Sequence, residues 1–405
     1  MGSAPGLLSG LKVLDLTDQN GVYCCKLLAN MGADVIKIEP PGGHPMRNIG
    51  PFFHDERHPE KSLYWFHMNT SKRSVTLNLD TPEGKKLFKK LVAEADVLVE
   101  TTSPGQPEAM GLGYQTLSEL NPRLVMASIT PFGQTGPWSE YKSCDLVALA
   151  AGGLMSLCGW PDEAPQRIAG SQAYHQTSMQ AALGIMVALF DRLATGRGVH
   201  IDVSMHESIP VTMLASAPNY LSMGEVRKRD GDGHEQPAYG TFACKDGHVD
   251  CRLFNANWDD FVGWLDHDGM AGDLKEARWK DPFFRRQKDS VAHIDVLFRA
   301  FLAKHTKKEV YESGQDRGIQ VGAINTAKDV TEDRQLAARN YFVDVEHPEL
   351  GTTLKYLGAP FKMSETPWAI RGRAPLIGEH NTEVYVKELG LTPRKLAGLK
   401  KAGVV

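Results

Sequence analysis

The strongest constraint on the fold is an alternation of short apolar strands and amphipathic helices through the first 205 residues. "KVLDL" (12–16) reads as a buried strand, and "GVYCCKLLANMG" (21–32) carries a helical apolar stripe that ends at Gly32. "ADVIKIE" (33–39) is a β-branched strand stopped by "PPGG", and "RSVTLNL" (73–79) alternates as a further strand. Thr81 is placed to cap a helix whose first residue is Pro82. In that helix Leu87, Phe88, Leu91 and Val92 share one face while lysines fill the other. "DVLVE" (96–100), "RLVMASIT" (123–130) and "HIDVSM" (200–205) read as more strands, the last preceded by the helical "GIMVALFDRLATGRG" (184–198). Strand, helix, strand in repetition predicts a parallel sheet covered by helices.

The pattern then changes. A helical stretch near 207–223 leads into the polar, glycine-rich "RKRDGDGHE" (227–235), which reads as a loop. "YGTFACKDGHVDCRL" (239–253) reads as a hairpin turning at Asp246–Gly247, and the chain to about 320 is helical and rich in charge. From "VGAINTAKDV" (321–330) loops and short strands return, and a final helical pair closes the sequence. The expected division is a large domain over 1–205, a linker helix over 206–225, a small α+β domain over 226–325, and a return to the large domain over 326–405.

Composition narrows the function. The 405 residues are 42% hydrophobic and 23% charged, with a formal net charge of −4, so no basic field for nucleic acid is expected. No apolar run approaches the roughly 20 residues that span a bilayer. "MGSAPGLLSGLKV" lacks the charged and apolar regions of a secretion signal, which points to the cytoplasm. None of the six cysteines forms a C-x-x-C pair; they read as buried reduced thiols, and no metal site is expected. No G-x-G-x-x-G, P-loop or H-E-x-x-H occurs, and "SMHES" lacks both glycines of a nucleophile elbow. His206 in that segment reads as a packed or capping residue. "RKRDGDGHE" lacks the twelfth-position glutamate of a calcium loop.

Several blocks, in order, resemble class III CoA-transferases, the formyl-CoA and carnitine-CoA transferase family. They are "LSGLKVLDLT", "GADVIKIEPPGG", "NTSKRSVTLNLDTPEGKKLFKKLVAEADVLVE", "LGYQTLSELNPRLVMASITPFGQTGP" and "ATGRGVHIDVSM", then "YFVDVEHPELGTTLKYLGAPFKMSETP" and "APLIGEHNTEV". The resemblance implies a large Rossmann-like domain with a parallel sheet built from both chain ends and a smaller domain between. It also implies a ring-shaped chain interlocked with a partner chain. Acyl-CoA and carboxylates are then the substrates, with no covalently held cofactor. A catalytic aspartate forms a mixed anhydride with the acyl group. Gln19, Asn20, Lys72, Lys142 and Met205 fall where the family contacts CoA. Gly231, Gly233 and Tyr239 fall in the loop "RDGDGHEQPAYG" (229–240), which in the family closes over the partner's active site.

Two departures shape the expected function. The family's aspartate sits in the turn before the helix beginning "MQAALG", and that position holds Tyr174 or, one residue on, His175. Neither side chain can become an acyl anhydride. Where the family often shows "NFRPG", with an arginine on the CoA phosphates, this chain has "TTSPG" with Ser103 in its place, and a hydroxyl cannot replace a guanidinium's charge. Asp145 remains as an assisting acid. The histidine of the related α-methylacyl-CoA racemases is Cys144 here, which argues against racemase chemistry. The expected role is the non-catalytic subunit of a heteromeric class III CoA-transferase, paired with an aspartate-bearing paralogue, so the isolated chain should be inactive. The competing expectations are an active homodimer with an unusual nucleophile, such as Asp145, and a CoA-binding regulatory protein without turnover.

Overall fold

The structure is a computed structural model that describes residues 6–213, 216–229, 231, 233, 234 and 236–405. Met1–Ser3 and, within the loop 229–240, Asp230, Asp232 and Glu235 lie outside the described residues. The chain divides into two compact units. One comprises residues 1–155, 167–226 and 337–405, the other residues 156–166 and 227–336.

The first unit is built on six parallel strands: β1 (Lys12–Leu16), β2 (Asp34–Glu39), β3 (Arg73–Thr76), β4 (Val97–Glu100), β5 (Val125–Thr130) and β6 (His200–Ser204). Their order across the sheet is β3-β2-β1-β4-β5-β6. β4 and β5 are buried along their whole length, as parallel strands covered on both faces must be. "RSVTLNL" therefore does not alternate: the strand stops at Thr76, and Ser74, Val75 and Thr76 are all buried.

Side chains leave the strands with period two and build two cores. Val13, Val35, Val97, Val99 and Val125 meet Cys24, Cys25 and Leu28 of α1 (Val22–Asn30) and Ile185 and Leu189 further along the chain. Leu14, Ile36, Val75, Leu98 and Met126 meet Leu87, Phe88, Leu91 and Val92 of α2 (Pro82–Ala93). Thr81 caps α2 as expected, its hydroxyl accepting from Gly84 N at 3.0 Å. Two further helices belong to this unit, α3 (Asp145–Ala151) and α4 (Gln172–Thr195).

The expected sheet from both chain ends is corrected. All six strands come from residues 12–204, and the returning chain adds no strand to them. It contributes a π-helical segment, Thr382–Glu388, and the helix Pro393–Lys401, whose Val384, Tyr385 and Leu399 join Val404 and Val405 against the second face. A separate antiparallel pair, Phe342–His347 with Thr352–Leu357, also belongs to this unit. The segment 206–225 is not one helix. The short helix Met205–Ser208, the 3-10 turn Pro210–Thr212 and the helix Ser216–Met223 are separate, and Pro210 has no N–H to continue the first of them.

The second unit holds an antiparallel sheet of β7 (Tyr239–Cys244), β8 (Gly247–Arg252) and β9 (Gln320–Ala323). Phe242 and Val249 from this sheet pack on Phe261 and Leu265 of α5 (Trp258–His267) and Phe298 of α6 (Lys288–Leu302). The β7–β8 turn is Lys245–Asp246, one residue earlier than expected, since Cys244 pairs with Gly247. The thiols also depart from expectation: Cys24, Cys25 and Cys251 are buried, Cys158 and Cys244 are half-buried, and Cys144 is exposed.

Beneath the carboxyl edge of the sheet lies a buried charge cluster. Asp15 Oδ1 accepts from Lys37 Nζ at 3.0 Å, and Asp15 Oδ2 from Lys72 Nζ at 2.8 Å, with all three side chains fully buried. The Thr17 amide (2.9 Å) and hydroxyl (2.7 Å) complete the carboxylate's shell. Burial would raise the Asp15 pKa, but the two ammonium groups outweigh it and hold the carboxyl well below the usual range. Its contribution to stability is complete above the ordinary carboxyl pKa of about 3.9 and is lost as pH falls below that value. Asp15→Asn leaves two ammonium groups buried beside a neutral amide and should cost about 3–5 kcal/mol in urea unfolding at neutral pH. The difference between variant and wild type should shrink on acidification; a difference that is constant down to acid pH would show that the carboxylate charge is not the source.

Candidate active site

The strand order reverses direction between β1 and β4, and an open α/β sheet takes ligands at the carboxyl ends beside such a reversal. The loops leaving both strands are tied there: Asp18 N donates to Thr101 Oγ1 at 2.9 Å. The Asp18 carboxylate in turn accepts from Asn20 N (2.8 Å) and Asn20 Nδ2 (2.9 Å). This leaves Asn20 half-buried and Gln19 exposed on the loop after β1.

Tyr174 and His175 lie inside the first turn of α4, not before it. The turn ends earlier because Gly170 (φ 86°) and Ser171 (φ 54°) take left-handed conformations. In that conformation the Ser171 side chain makes no cap. Asp145, at the start of α3, supplies the missing acceptor: its Oδ1 takes Ala173 N at 2.8 Å. In return Asp145 N donates to the Tyr174 hydroxyl at 3.0 Å. Each helix thus satisfies an amide at the other's N-terminus, where α-helices leave donors unpaired.

This pairing fixes what the two groups can do. Tyr174 is buried with Ala148, Leu149, Ala173, Met205 and Ile209. Burial pushes its phenol pKa up, so it stays neutral and serves as an acceptor. Tyr64 nearby is pushed up to about 12, first by burial and then by the charge of Asp18. His175 donates from Nδ1 to the Ser171 carbonyl at 2.8 Å and rests edge-on against Tyr23, with ring centroids 4.8 Å apart. Among the described residues Asp145 is the one carboxylate bonded to this turn, and it is occupied as a cap. The signal for this arrangement was absent from local sequence, since Asp145 and Tyr174 are 29 residues apart.

The residues expected to contact CoA separate. Lys142 and Ser103 are exposed, whereas Met205 is buried beside Tyr174. The Lys72 ammonium group is buried and donates to Asp15, to Asn69 Oδ1 at 3.0 Å and to the Val22 carbonyl at 3.4 Å. Among the described residues no group of three or more His, Cys, Asp or Glu side chains is placed to hold a metal ion. Among the described residues no helix is long and apolar enough to cross a membrane.

In the second unit the glycine loop is anchored. Arg229 donates to the carbonyls of Trp160 (3.1 Å), Pro161 (3.4 Å) and Glu163 (3.0 Å). Gly231 has φ 64°, and a Cβ there would stand 2.7 Å from the Trp160 ring. Gly233 has φ 85°, and a Cβ there would stand 3.6 Å from Tyr239 Cε1. His234 bonds Asp295 at 3.1 Å, and Asp295 also accepts from Ala238 N at 2.9 Å. The sequence suggested glycines that open and shut; here Gly231 is required by a close approach to an aromatic ring and by its backbone angle.

Two outcomes test this geometry. Asp145→Ala should lose about 1 kcal/mol in chemical denaturation through the lost cap, while Asp145→Asn, which keeps an acceptor, should be near neutral. Equal losses would mean that the charge rather than the cap matters. Gly231→Ala should cost about 1–2 kcal/mol from the left-handed angle, plus the clash. Adding Trp160→Ala should return only the clash portion, and full recovery in the double variant would show that the angle imposes no strain.

The chain matches the model of CoA-transferase family III over residues 8–381. It is 32% identical over 403 residues to succinyl-CoA:(R)-benzylsuccinate CoA-transferase subunit BbsE of Thauera aromatica, covering 98% of both chains. It is 33% identical to the succinyl-CoA–D-citramalate CoA-transferase of Chloroflexus aurantiacus, covering 99% of this chain and 98% of that protein. The crystal structure of a CaiB/BaiF family protein from Brucella suis superposes with a TM-score of 0.85 at 31% identity, over 95% of this chain and 99% of that one. A family model across nearly the whole sequence, full-length relatives above 30% identity and a matching six-stranded α/β unit lead to one conclusion: the chain belongs to CoA-transferase family III.

Proposed function

We propose that this chain is the non-catalytic subunit of a heteromeric class III CoA-transferase, working beside a paralogue that carries an aspartate where this chain has Tyr174. The observation that carries the reading is the Tyr174 phenol, buried, neutral and spent as acceptor for Asp145 N.

The chemistry explains why that substitution is decisive. An aspartate attacks the thioester carbonyl of the donor, forming a mixed anhydride and expelling CoA thiolate. The thiolate attacks the aspartyl carbonyl, releasing the donor carboxylate and leaving an aspartyl-CoA thioester. The acceptor carboxylate attacks that thioester to give a second anhydride, and the thiolate, attacking the acceptor's carbonyl, leaves as the new acyl-CoA and regenerates the aspartate. The two middle steps occur at a carboxyl carbon of the enzyme, which neither a phenol nor an imidazole supplies. Asp145 has a carboxyl carbon, but its Oδ1 is held by Ala173 N.

The proposed assembly is an interlocked pair in the cytoplasm. This chain would contribute its loop 229–240 over the partner's aspartate and would carry Gln19, Asn20, Lys142 and Met205 along its own CoA path. Succinyl-CoA is the proposed donor, because relatives named for (R)-benzylsuccinate, D-citramalate, L-malate, mesaconate and glutarate all share it. The aromatic acceptor of the benzylsuccinate enzyme, and with it anaerobic aromatic degradation, is the proposed setting.

The test is a transfer assay with succinyl-CoA and (R)-benzylsuccinate. The purified chain alone should give no transfer. Co-expression with an aspartate-bearing paralogue should give turnover that persists in Tyr174→Phe and Asp145→Asn variants of this chain. Turnover by the chain alone, abolished by Asp145→Asn, would replace this reading with an active homodimer.

A further inference from the structure

The second unit buries an arginine that has no acid bonded to it. Arg285 closes the short helix Pro282–Arg285 and is 3% exposed. Its guanidinium carbon stands 4.3 Å from the centroid of the Trp258 ring, at the start of α5. Its Nη2 donates to Asn255 Oδ1 at 3.0 Å, whereas its Nη1 is buried without a hydrogen-bond partner. Asp259 and Asp281 act on it through charge alone. Both are engaged elsewhere, Asp259 with Lys280 and Asp281 Oδ1 with Phe283 N at 2.9 Å. Burial is the largest influence on the Arg285 pKa and pushes it down. The Trp258 face and the Asn255 amide offset part of the desolvation cost, but neither supplies a counter-charge.

Arg285 lines a notch of about 10 Å³ together with Gln236, Phe254, Asn255, Trp258 and Arg286. That volume admits about one oxygen-sized group, so a head group enters and the rest of a ligand stays at the mouth. Arg286 is exposed and adds a second cation, and among the described residues no aspartate or glutamate lines the notch. Phe254 is 50% exposed and offers an aromatic surface beside the two arginines.

We infer that this notch is a carboxylate subsite for a small organic acid with an apolar body, one carboxylate oxygen accepting from Arg285 Nη1 while the body lies on Phe254. A water in the same space satisfies the N–H but brings no charge; a carboxylate does both. Arg286 draws the acid to the mouth, an attraction that salt screens. Gln236 belongs to the end of the loop 229–240, so an acid held here also braces that loop within its own unit. The inference goes beyond the subunit reading and does not rest on it.

Calorimetric titration of the full chain with benzoate tests the site. Benzamide serves as the same body without the charge, and acetate as the same head without the body. Benzoate should bind, benzamide about tenfold more weakly and acetate about threefold more weakly. Arg285→Met, which keeps the bulk and removes the charge, should lower benzoate affinity by about tenfold. Phe254→Ala and Arg286→Gln, both at exposed positions, should each lower it by about threefold, and they carry the test if Arg285→Met does not fold. Benzamide binding as tight as benzoate would overturn the charge recognition, and acetate binding as tight as benzoate would overturn the role of the body. Benzoate binding that is absent in the wild type, or unchanged in Arg285→Met or in both exposed variants, would overturn the site. These readouts are binding alone, whereas the subunit reading is decided by turnover.

Discussion

Two ammonium groups share one carboxylate under the sheet's carboxyl edge, and the geometry above them depends on that arrangement. Asp15 is the penultimate residue of β1, Lys37 belongs to β2, and Lys72 immediately precedes β3. One buried ion cluster therefore ties three adjacent strands together. Lys72 also reaches the Val22 carbonyl, which ties the first residue of α1 to the same point. A buried ion cluster is weak evidence for net stability, because desolvation offsets much of the attraction. What this one supplies is position: a displaced strand would strand an unpaired charge.

The start of α4 shows a similar economy of means. A left-handed serine cannot cap the helix, so the cap is borrowed from the neighbouring helix, and the tyrosine that follows returns the bond. The phenol thus stabilises the turn it belongs to, as a neutral acceptor for an amide of the neighbouring helix.

Much of this was legible along the chain. The buried strands announced themselves as short β-branched runs, and the Thr81–Pro82 start of α2 follows from local rules alone. Pro210 likewise carried a visible signal that the segment after β6 could not be one helix. The rest depends on long-range encounters. Lys72 is singled out only by the family resemblance, as a CoA contact, and what holds its ammonium group is Asp15, 57 residues earlier. The reciprocal cap and the Arg229 clamp each require knowing which loops meet. Gly231 was noticed as a glycine, but the ring of Trp160 that makes it necessary lies about seventy residues away in sequence.

The covering of the main sheet has a consequence during synthesis. Its six strands and the helices of one face are complete once residue 204 has emerged. The opposite face waits for Val384, Tyr385, Leu399, Val404 and Val405, which come roughly two hundred residues later. At about 5–20 residues per second, part of a large apolar surface stays uncovered for about 10–40 seconds while the second unit is being made. During that interval the nascent chain resembles a client for chaperones more than a folded domain, and the order in which the ribosome releases residues decides when the protein can first close.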